Sequence, residues 1–331
     1  MSVMPTGFWI PENKGEYIMI KLGLAGTWHV HFGGYVREFS SRDDVQITAL
    51  WDPDETVAKE KAEEIGCAYT TDIDEFYAMD FDAVQVCAAT NIHKEVLIKA
   101  AEAHKHIFTE KVLTASYSDA LEVKEAVDKA GIKFCISFPW RTRSDFLWIK
   151  EALGKEIIGQ VTYMRMRNAH DGVSRGWLPP SFLDPVPTCG GAMMDLGAHG
   201  MYLLNWLMGE PEKCTSVFTN CLCDSVEDNC VTVFSYKNGA IGVSETGFVT
   251  GRNPFELEIA GTKGTILAGG VFDKLCYNNG DGWVYPALGS GSKSAINSFC
   301  DAINGDGEPL FGIDDAVALT KTMEMAYKNI I

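Results

Sequence analysis

The chain has 331 residues, of which 46% are hydrophobic and 22% are charged, and its formal net charge is −17. This composition is typical of a globular protein of about two domains and argues against intrinsic disorder. The negative charge disfavours a nucleic-acid partner. The chain has no apolar run of about 18 residues and no basic signal-peptide start, so we expect no membrane association. Ten cysteines at irregular spacing favour a reducing, cytoplasmic location.

The first part of the chain alternates strands with helices. Residues 1–17 lack a hydrophobic period and are expected to form an extension. The predicted strands are Tyr17–Ala25, Val45–Trp51, Ala83–Ala88, His106–Thr109 and Ile132–Phe138. The predicted helices are Trp28–Phe39, Asp54–Ile65, Ile92–His104 and Tyr117–Ala130. This alternation predicts a doubly wound parallel sheet, a Rossmann-type α/β domain, over residues 18–141.

Residues 142–331 follow a different pattern. The helix Asp145–Leu153, the strand Ile157–Arg167 and a loop rich in Pro and Gly lead to a long apolar helix, Ala192–Met208. The strands predicted next are Ser216–Cys223, Cys230–Tyr236, Ile241–Val249 and Phe255–Ala260, and the closing helices are Ser294–Asn304 and Asp315–Lys328. Consecutive strands joined by turns such as Asn238-Gly239 predict an α+β domain with a mainly antiparallel open sheet.

The turn after the first predicted strand occupies the position of a nucleotide-binding loop. An N-terminal βαβ unit binds its ligand there, where the following helix N-terminus attracts phosphate. The usual pattern is G-x-G-x-x-G, but Gly26-Thr27-Trp28-His29-Val30-His31 keeps only the first glycine. The turn by itself is therefore a weak nucleotide-binding signal.

Asp52 ends the second predicted strand, where a carboxylate accepts hydrogen bonds from the ribose hydroxyls of NAD and repels the 2′-phosphate of NADP. A nucleotide site here would thus favour NAD. The alternative is an ordinary turn and helix cap, because Asp52-Pro53-Asp54 directly precedes a predicted helix. Both interpretations stay open on this segment alone.

Two further segments carry residues suited to proton transfer. Glu110-Lys111 follows a buried strand and would face the same crevice as the nucleotide, although a surface ion pair is the commoner meaning of such a dipeptide. Asp195 and His199, after Gly190-Gly191, are four residues apart and share a helix face. An Asp beside a His orients the imidazole for proton transfer. The alternative is an Asp in the first helical turn and a core His.

Potential metal ligands have unfavourable spacing. Cys221, Cys223 and Cys230 lie in predicted strands and do not match paired zinc knuckles. His29 and His31 lie two apart at a predicted helix start, which is poor geometry for a shared ligand. We therefore expect no metal site.

Together these segments resemble the glucose–fructose oxidoreductase/inositol dehydrogenase (Gfo/Idh/MocA) family over residues 18–331. The family pattern is a Rossmann turn, an acidic residue after the second strand, a Thr-Pro-Asn-x-x-His-like turn, Glu-Lys-Pro, and a G-G-(x)n-D-x-x-x-H helix. The matching segments are Gly26, Asp52, Ala88-Ala-Thr90-Asn91-Ile-His93, Glu110-Lys111-Val112 and Gly190-Gly191…Asp195…His199. The chain departs from the pattern at the lost glycines and where Ala89 and Val112 replace proline.

The resemblance implies an NAD(P)-dependent oxidoreductase acting on a secondary hydroxyl of a sugar, sugar derivative or cyclic polyol. Lys111 would donate to the substrate hydroxyl, His199 would act as general base, and Asp195 would orient His199 or bind a neighbouring hydroxyl. The implied cofactor-binding residues are Gly26, Thr27, Trp28, His29, Asp52, Thr90, Asn91, His93, Glu110 and Lys111. Five further residues are expected to shape the substrate pocket with Asp195 and His199: Arg141, Tyr163, Arg165, His170 and Trp177.

Two other functions occur on the same fold. Some relatives cleave glycosides through transient oxidation with no net redox change, and others act as sensors that lack the Lys or the His. Retention of Lys111 and His199 favours the dehydrogenase. Relatives also associate through the second-domain sheet, so we expect a homo-oligomer, a dimer or tetramer. The candidate interface residues are Val217, Val231, Val233, Val243 and Phe248.

Overall fold

A computed structural model describes residues 19–252, 254–270 and 274–331. These residues form two β-sheets, each associated with helices. The predicted extension at residues 1–17 and the start of the strand predicted from Tyr17 lie outside the described residues. None of the helices in the described ranges is both long and apolar enough to cross a membrane.

The first sheet has six parallel strands in the order β3-β2-β1-β4-β5-β6. The strands are β1 (Ile20–Ala25), β2 (Val45–Trp51), β3 (Ala68–Thr70), β4 (Ala83–Val86), β5 (His106–Thr109) and β6 (Phe134–Ile136). The helices are α1 (Phe32–Ser40), α2 (Glu55–Ile65), α3 (Ile73–Ala78), α4 (His93–Glu102) and α5 (Tyr117–Ala130). This strand order is that of a doubly wound dinucleotide-binding fold, which confirms the predicted class and places the crevice between β1 and β4.

The second sheet has eight strands in the order β14-β13-β12-β11-β7-β10-β9-β8. The strands are β7 (Val161–Ala169), β8 (Lys213–Thr219), β9 (Asn229–Ser235), β10 (Ile241–Gly247), β11 (Phe255–Gly261), β12 (Gly264–Gly269), β13 (Cys276–Asn278) and β14 (Trp283–Val284). Its neighbours are antiparallel except β7 and β10, which are parallel. The mainly antiparallel sheet is therefore confirmed.

Helices cover one face of the second sheet and also join the two sheets. The helices of this part are α6 (Ser144–Gly154), α7 (Pro185–Thr188), α8 (Ala198–Met208), α9 (Ala295–Ile303) and α10 (Ile313–Lys328). Buried and exposed residues alternate along β9, because α8 and α10 pack on one side of the sheet and leave the other open. Helices α9 and α10 both contact β6, and α10 also contacts α5, so the C-terminal helices are shared between the two halves of the chain.

Several element boundaries differ from the predictions for local reasons. The strand predicted to reach Cys223 ends at Thr219, because the carboxylate of Asp228 accepts the N–H groups of residues 221, 222 and 223 and folds them into a turn. The strand predicted from Ile157 begins at Val161, because Gly159 has a φ of +72°. The strands β3, β13 and β14 were not predicted, since two or three residues are too few for a clear period. The elements α3 and β12 were also not predicted.

Candidate active site

The turn after β1 is fixed to the end of β4. Gly26 has a φ of +80°, and a Cβ atom built there would lie 2.5 Å from the Cα of Ala88, so only glycine fits. The N–H groups of Trp28 and His29 both donate to the carbonyl of Cys87, at 3.1 and 3.3 Å. The first glycine of the nucleotide-binding pattern therefore retains its structural role, although the other two glycines are absent.

Asp52 contacts this turn directly. Its Oδ2 accepts hydrogen bonds from the backbone N–H of Thr27 at 3.0 Å and from the Thr27 hydroxyl at 2.7 Å. Asp54, rather than Asp52, caps α2 by accepting from the N–H groups of residues 56 and 57. Asp52 Oδ1 also accepts the N–H of Asp54 at 3.1 Å, so Asp52 joins the turn after β1 to the start of α2, and its role at a nucleotide site stays a prediction.

Glu110 is buried and surrounded by side chains from the turn and from α1. Its Oε2 lies 3.0 Å from Nδ1 of His31 and 3.9 Å from Nδ1 of His29, and it accepts a hydrogen bond from the hydroxyl of Tyr35. Burial would raise the pKa of Glu110, but the two histidines hold it well below its usual value. Burial lowers the pKa of His29 to about 4. The predicted Glu110 site is thus a buried network rather than a surface ion pair.

Lys111 and Asp195 form the central ion pair of the site. Lys111 Nζ donates to Asp195 Oδ1 at 2.5 Å and to the Asp195 carbonyl oxygen at 2.9 Å. Burial would raise the pKa of Asp195, but the Lys111 ammonium outweighs it and holds the pKa at about 2. The pair joins the end of β5 to the π-helical turn Met193–Gly197 that precedes α8. It therefore connects the two domains at the crevice.

His199 lies near this pair but has other partners. Its Nδ1 is 2.9 Å from the hydroxyl of Tyr202, and its ring stacks on Trp140. No Asp195–His199 hydrogen bond is found in the described structure, so the predicted orientation of His199 by Asp195 is replaced by the contact with Tyr202. Burial lowers the pKa of His199 to about 3, and Lys111 adds to the decrease. His199 is therefore neutral at pH 7.

A narrow cavity opens beside Lys111 and Asp195. Its walls come from the nucleotide turn, from the loop before α8 and from the Gly190-Gly191 segment. The lining residues are Trp28, His29, Thr90, Lys111, Val112, Phe182, Thr188, Gly190, Gly191, Met194 and Asp195. His199 is not one of them. The structure thus brings five predicted site residues together on the cavity wall: Trp28, His29, Thr90, Lys111 and Asp195.

Two predicted cofactor residues lie elsewhere. The ring of His93 is buried, with Nδ1 2.9 Å from the Val112 carbonyl oxygen and Nε2 2.9 Å from that of Ala88. It therefore connects the end of β4 to the segment after Lys111, behind the crevice, rather than lining it. The Lys111–Val112 peptide is cis. Asn91 is exposed and is absent from the cavity wall.

The five residues expected to shape the substrate pocket with Asp195 and His199 are not among those that line this cavity. Arg141 pairs with Asp315 and packs its guanidinium over Phe311. Tyr163 and Arg165 are on β7, whose alternate residues Met164 and Met166 are buried, so they face the open side of the sheet.

In that position Arg165 pairs with Glu245 and Glu256. Trp177 is 53% exposed and donates its indole N–H to Asp171, while His170 stacks on Phe248. Strand alternation and loop packing thus place these side chains off the wall of this cavity, and their role in substrate binding stays a prediction.

Phe182 was not predicted as a site residue. It forms the aromatic part of the cavity wall, where Trp177 had been expected. Its ring stacks on Trp28, with centroids 4.9 Å apart and an interplanar angle of 15°. It comes from the loop between β7 and α8, and no periodic signal marks a residue of such a loop. Thr188 ends α7 and Met194 lies in the π-helical turn Met193–Gly197. Both were missed as wall residues, because only the tertiary fold brings these segments to the nucleotide turn.

The comparisons with known proteins agree with this geometry. Residues 20–138 match the oxidoreductase family with an NAD-binding Rossmann fold, Gfo/Idh/MocA, and residues 146–267 match the C-terminal domain of the same family. A myo-inositol 2-dehydrogenase of Thermotoga maritima is 30% identical over 263 residues, which are 76% of this chain and 75% of that protein.

The chain belongs to the Gfo/Idh/MocA oxidoreductase family. The scyllo-inositol 2-dehydrogenase (NAD(+)) of Bacillus subtilis is 24% identical over 78% of this chain and 75% of that protein. The WlbA dehydrogenase of Bordetella pertussis, solved in complex with NADH and UDP-GlcNAcA, has the same fold, with a TM-score of 0.81 at 18% identity over 94% of this chain and 96% of that chain. This protein is therefore an oxidoreductase with an NAD-binding Rossmann domain.

The residues at the crevice fit such a cofactor. Gly26 keeps the close approach of the turn to β4 that a Cβ atom would prevent. Asp52 holds the turn and has its carboxylate at the carboxyl end of β2, where a ribose lies in this fold. Lys111 is at the carboxyl end of β5, on the same edge of the sheet. These residues would hold the two ends of the cofactor.

Proposed function

We propose that this protein transfers a hydride between a secondary hydroxyl of a cyclic polyol, sugar or sugar derivative and NAD. The observation that carries the proposal is the Lys111–Asp195 ion pair in the cavity wall, 2.5 Å between Nζ and Oδ1. An ammonium donor beside a carboxylate acceptor suits two neighbouring hydroxyls of one ring, since one hydroxyl accepts while the next donates. Two of the relatives are inositol dehydrogenases, so cyclic polyols are the first class of substrate to test.

Lys111 is the residue that binds the reacting hydroxyl. Its ammonium has three N–H groups, and in the described structure two of them donate to Oδ1 and the carbonyl oxygen of Asp195. The third donates to the substrate oxygen and stabilises the negative charge that develops as the hydroxyl proton leaves. When bound, NAD supplies the nicotinamide ring that accepts the hydride.

The general-base role of His199 stays a prediction. A pKa of about 3 keeps its imidazole neutral at pH 7, and its Nδ1 contacts Tyr202. A neutral imidazole has one lone pair and one N–H, so Nε2 is the nitrogen left to exchange a proton or a hydrogen bond with the reacting group. Its absence from the cavity wall favours Lys111 as the group that touches the substrate first.

The test is absorbance at 340 nm with the purified protein, NAD⁺ and a panel of inositols, monosaccharides, sugar acids and glycosides. A steady rise with one class confirms the dehydrogenase and identifies its substrate class. We expect Lys111→Met to lower kcat at least about 100-fold, because the developing charge loses its donor.

Lys94→Met is the matched control, because Lys94 pairs with Asp119 and Glu122 on the surface of α4. It should retain full activity. Full turnover in Lys111→Met would contradict the proposal. A wild-type rise that stops at one equivalent of enzyme would instead favour glycoside cleavage without net redox change.

We further propose that the chain forms a homo-oligomer through the open face of the second sheet. Exposed apolar side chains form a row across β8, β9 and β10: Val217, Val231, Val233 and Ile241. Contiguous apolar surface of this kind is typical of protein interfaces. Phe248 and Val243 are buried, so of the predicted interface residues only Val217, Val231 and Val233 are exposed.

The cytoplasmic location also stays a proposal. All ten cysteines are free thiols in the structure, as expected for a protein of a reducing compartment.

A further inference from the structure

Three side chains meet at the edge of the cavity, and two of them, His29 and Glu110, are also predicted cofactor residues. His29, His31 and Glu110 each offer one ligand atom, and these atoms all lie within 4.8 Å of one another. We call these three residues the His–His–Glu cluster. The spacing argument against His29 and His31 as shared ligands is wrong, because α1 begins at Phe32 and both histidines lie in the turn before it. A turn directs side chains two residues apart toward one point, whereas a helix separates them.

The residue types suit a divalent transition metal. Two imidazoles and one carboxylate are the protein ligands of many zinc and non-haem iron sites, where further coordination positions stay open. The three ligands come from two elements, since Glu110 follows β5 and the histidines precede α1. Small side-chain movements are enough to bring ligand atoms from within 4.8 Å to a common ion, because each ligand bond is about 2.0–2.2 Å long.

Charge and access also favour a cation. Glu110 and Asp195 are two carboxylates within one buried site, and the ammonium of Lys111 is paired with Asp195. The Lys111 ammonium also stabilises the charge of Glu110 through space, but its ion-pair contact is with Asp195. The side chain of His31 is 41% exposed, which gives an ion a path from solvent, while His29 lines the cavity. An ion bound here would have its open positions toward the cavity.

We propose that the His–His–Glu cluster binds one divalent first-row transition metal ion, of the Zn²⁺ or Fe²⁺ type, beside the substrate cavity. Water or an oxygen of a bound ligand completes the coordination. In the ion-free protein the Tyr35 hydroxyl and His31 both hydrogen-bond to Glu110. When an ion binds, bonds to the ion replace the His31–Glu110 hydrogen bond, while the Tyr35 hydroxyl still holds the carboxylate as an outer contact, as is common around metal ligands. The proposal does not depend on dehydrogenase activity.

The experiment is titration of the untagged, reduced, NAD-free protein with Co²⁺, followed by visible absorption, and with Zn²⁺, followed by calorimetry. We expect one ion per chain and a visible d–d spectrum without thiolate charge-transfer absorption, which separates this site from the ten cysteines. His31→Ala should weaken Zn²⁺ binding at least about 100-fold, because loss of even an outer partner of a metal site costs about 10- to 100-fold.

His104→Asn is the matched control, since His104 is exposed at the end of α4 with a φ of 55° that Asn tolerates. It should bind as the wild type does. Glu110→Gln keeps the shape of the side chain but removes its charge, and it should also lose the ion while circular dichroism confirms the fold. Binding that survives in both His31→Ala and Glu110→Gln, or wild-type binding no tighter than theirs, would overturn the proposal and leave a hydrogen-bonded His–Glu pair.

Discussion

At the residue scale, the Lys111–Asp195 pair serves both stability and function, and the two contributions can be separated. Asp195→Ala leaves the buried ammonium of Lys111 without its carboxylate. Breaking a buried ion pair on one side costs about 3–5 kcal/mol. We expect a loss of unfolding free energy of that order, measured by denaturant titration, together with loss of turnover.

The double variant Lys111→Met/Asp195→Leu is the control for this prediction. Replacing both charges with apolar side chains is often neutral for stability. It should therefore recover most of the unfolding free energy and none of the activity. If the double variant is as unstable as Asp195→Ala, the pair does not act as a coupled unit.

The lowered pKa of His199 should make the free energy of unfolding depend on pH. Its pKa of about 3 in the folded protein is below the unfolded value near 6.5. Protonation therefore favours the unfolded chain, and the free energy of unfolding falls as pH decreases from about 6.5 toward 3, by at most about 1.4 kcal/mol per pH unit for one group. Denaturation of wild type and His199→Gln from pH 7 to 4 tests this. The variant should have the shallower slope, and His104→Asn should match the wild type.

We expect the carboxylate of Asp52 to decide the preference of the enzyme for NAD over NADP. Its carboxylate lies beside the turn through Thr27 and would repel a 2′-phosphate. We expect kcat/KM to favour NAD⁺, and Asp52→Ser to reduce the ratio of the two kcat/KM values at least about 10-fold, equivalent to about 1.4 kcal/mol. A wild type that prefers NADP⁺ would contradict this assignment.

At the element scale, the start of the helix that carries Asp195 is anchored from outside. Glu227 Oε1 accepts hydrogen bonds from Gly191 N–H at 2.7 Å, from Met193 N–H at 3.3 Å and from the Tyr327 hydroxyl at 2.6 Å. A Cβ atom at Gly191 would lie 2.1 Å from the Glu227 carbonyl oxygen. The two glycines are therefore required for close packing, and Glu227 holds the segment by its backbone.

Glu227→Ala should lower kcat about 100-fold with little change in NAD affinity, because a displacement of about 1 Å at a reacting group costs that much. Tyr327→Phe removes one partner of the carboxylate but keeps its bonds to the helix, so its effect should be small. Steady-state kinetics and NAD titration measure both. Equal effects of the two variants would show that Glu227 acts only through Tyr327.

The sequence predicted this helix but not its first turn. Apolar spacing identified residues 192–208 and placed Asp195 and His199 on one face. In the structure the π-helical turn Met193–Gly197 precedes α8, so the regular α-helical spacing behind that prediction does not hold at Asp195. Asp195 then reaches Lys111 and His199 reaches Tyr202. Periodicity could not anticipate this, because the cause is packing against residues distant in the chain.

At the scale of the whole molecule, the apolar row on the open face of the second sheet leads us to expect a homo-oligomer. Val233→Asp places a charge in the row of exposed valines, and a buried unpaired charge opposes association. We expect the wild type to be a dimer or tetramer by light scattering and Val233→Asp to be a monomer. Leu121→Asp, on an exposed position of α5, is the control and should leave the mass unchanged. A monomeric wild type would contradict the proposal.

The sequence by itself determined the two-sheet architecture and most of the long elements, and it nominated Asp52, Lys111 and Asp195 as candidate site residues, because strand and helix periods and the ends of parallel strands are local properties. Only the tertiary structure decided which side of β7 faces the helices, so Arg165 lies outside the site. It also brought Phe182 onto Trp28 and joined His29, His31 and Glu110. Contacts between segments so far apart depend on how whole elements pack, and no local pattern encodes that.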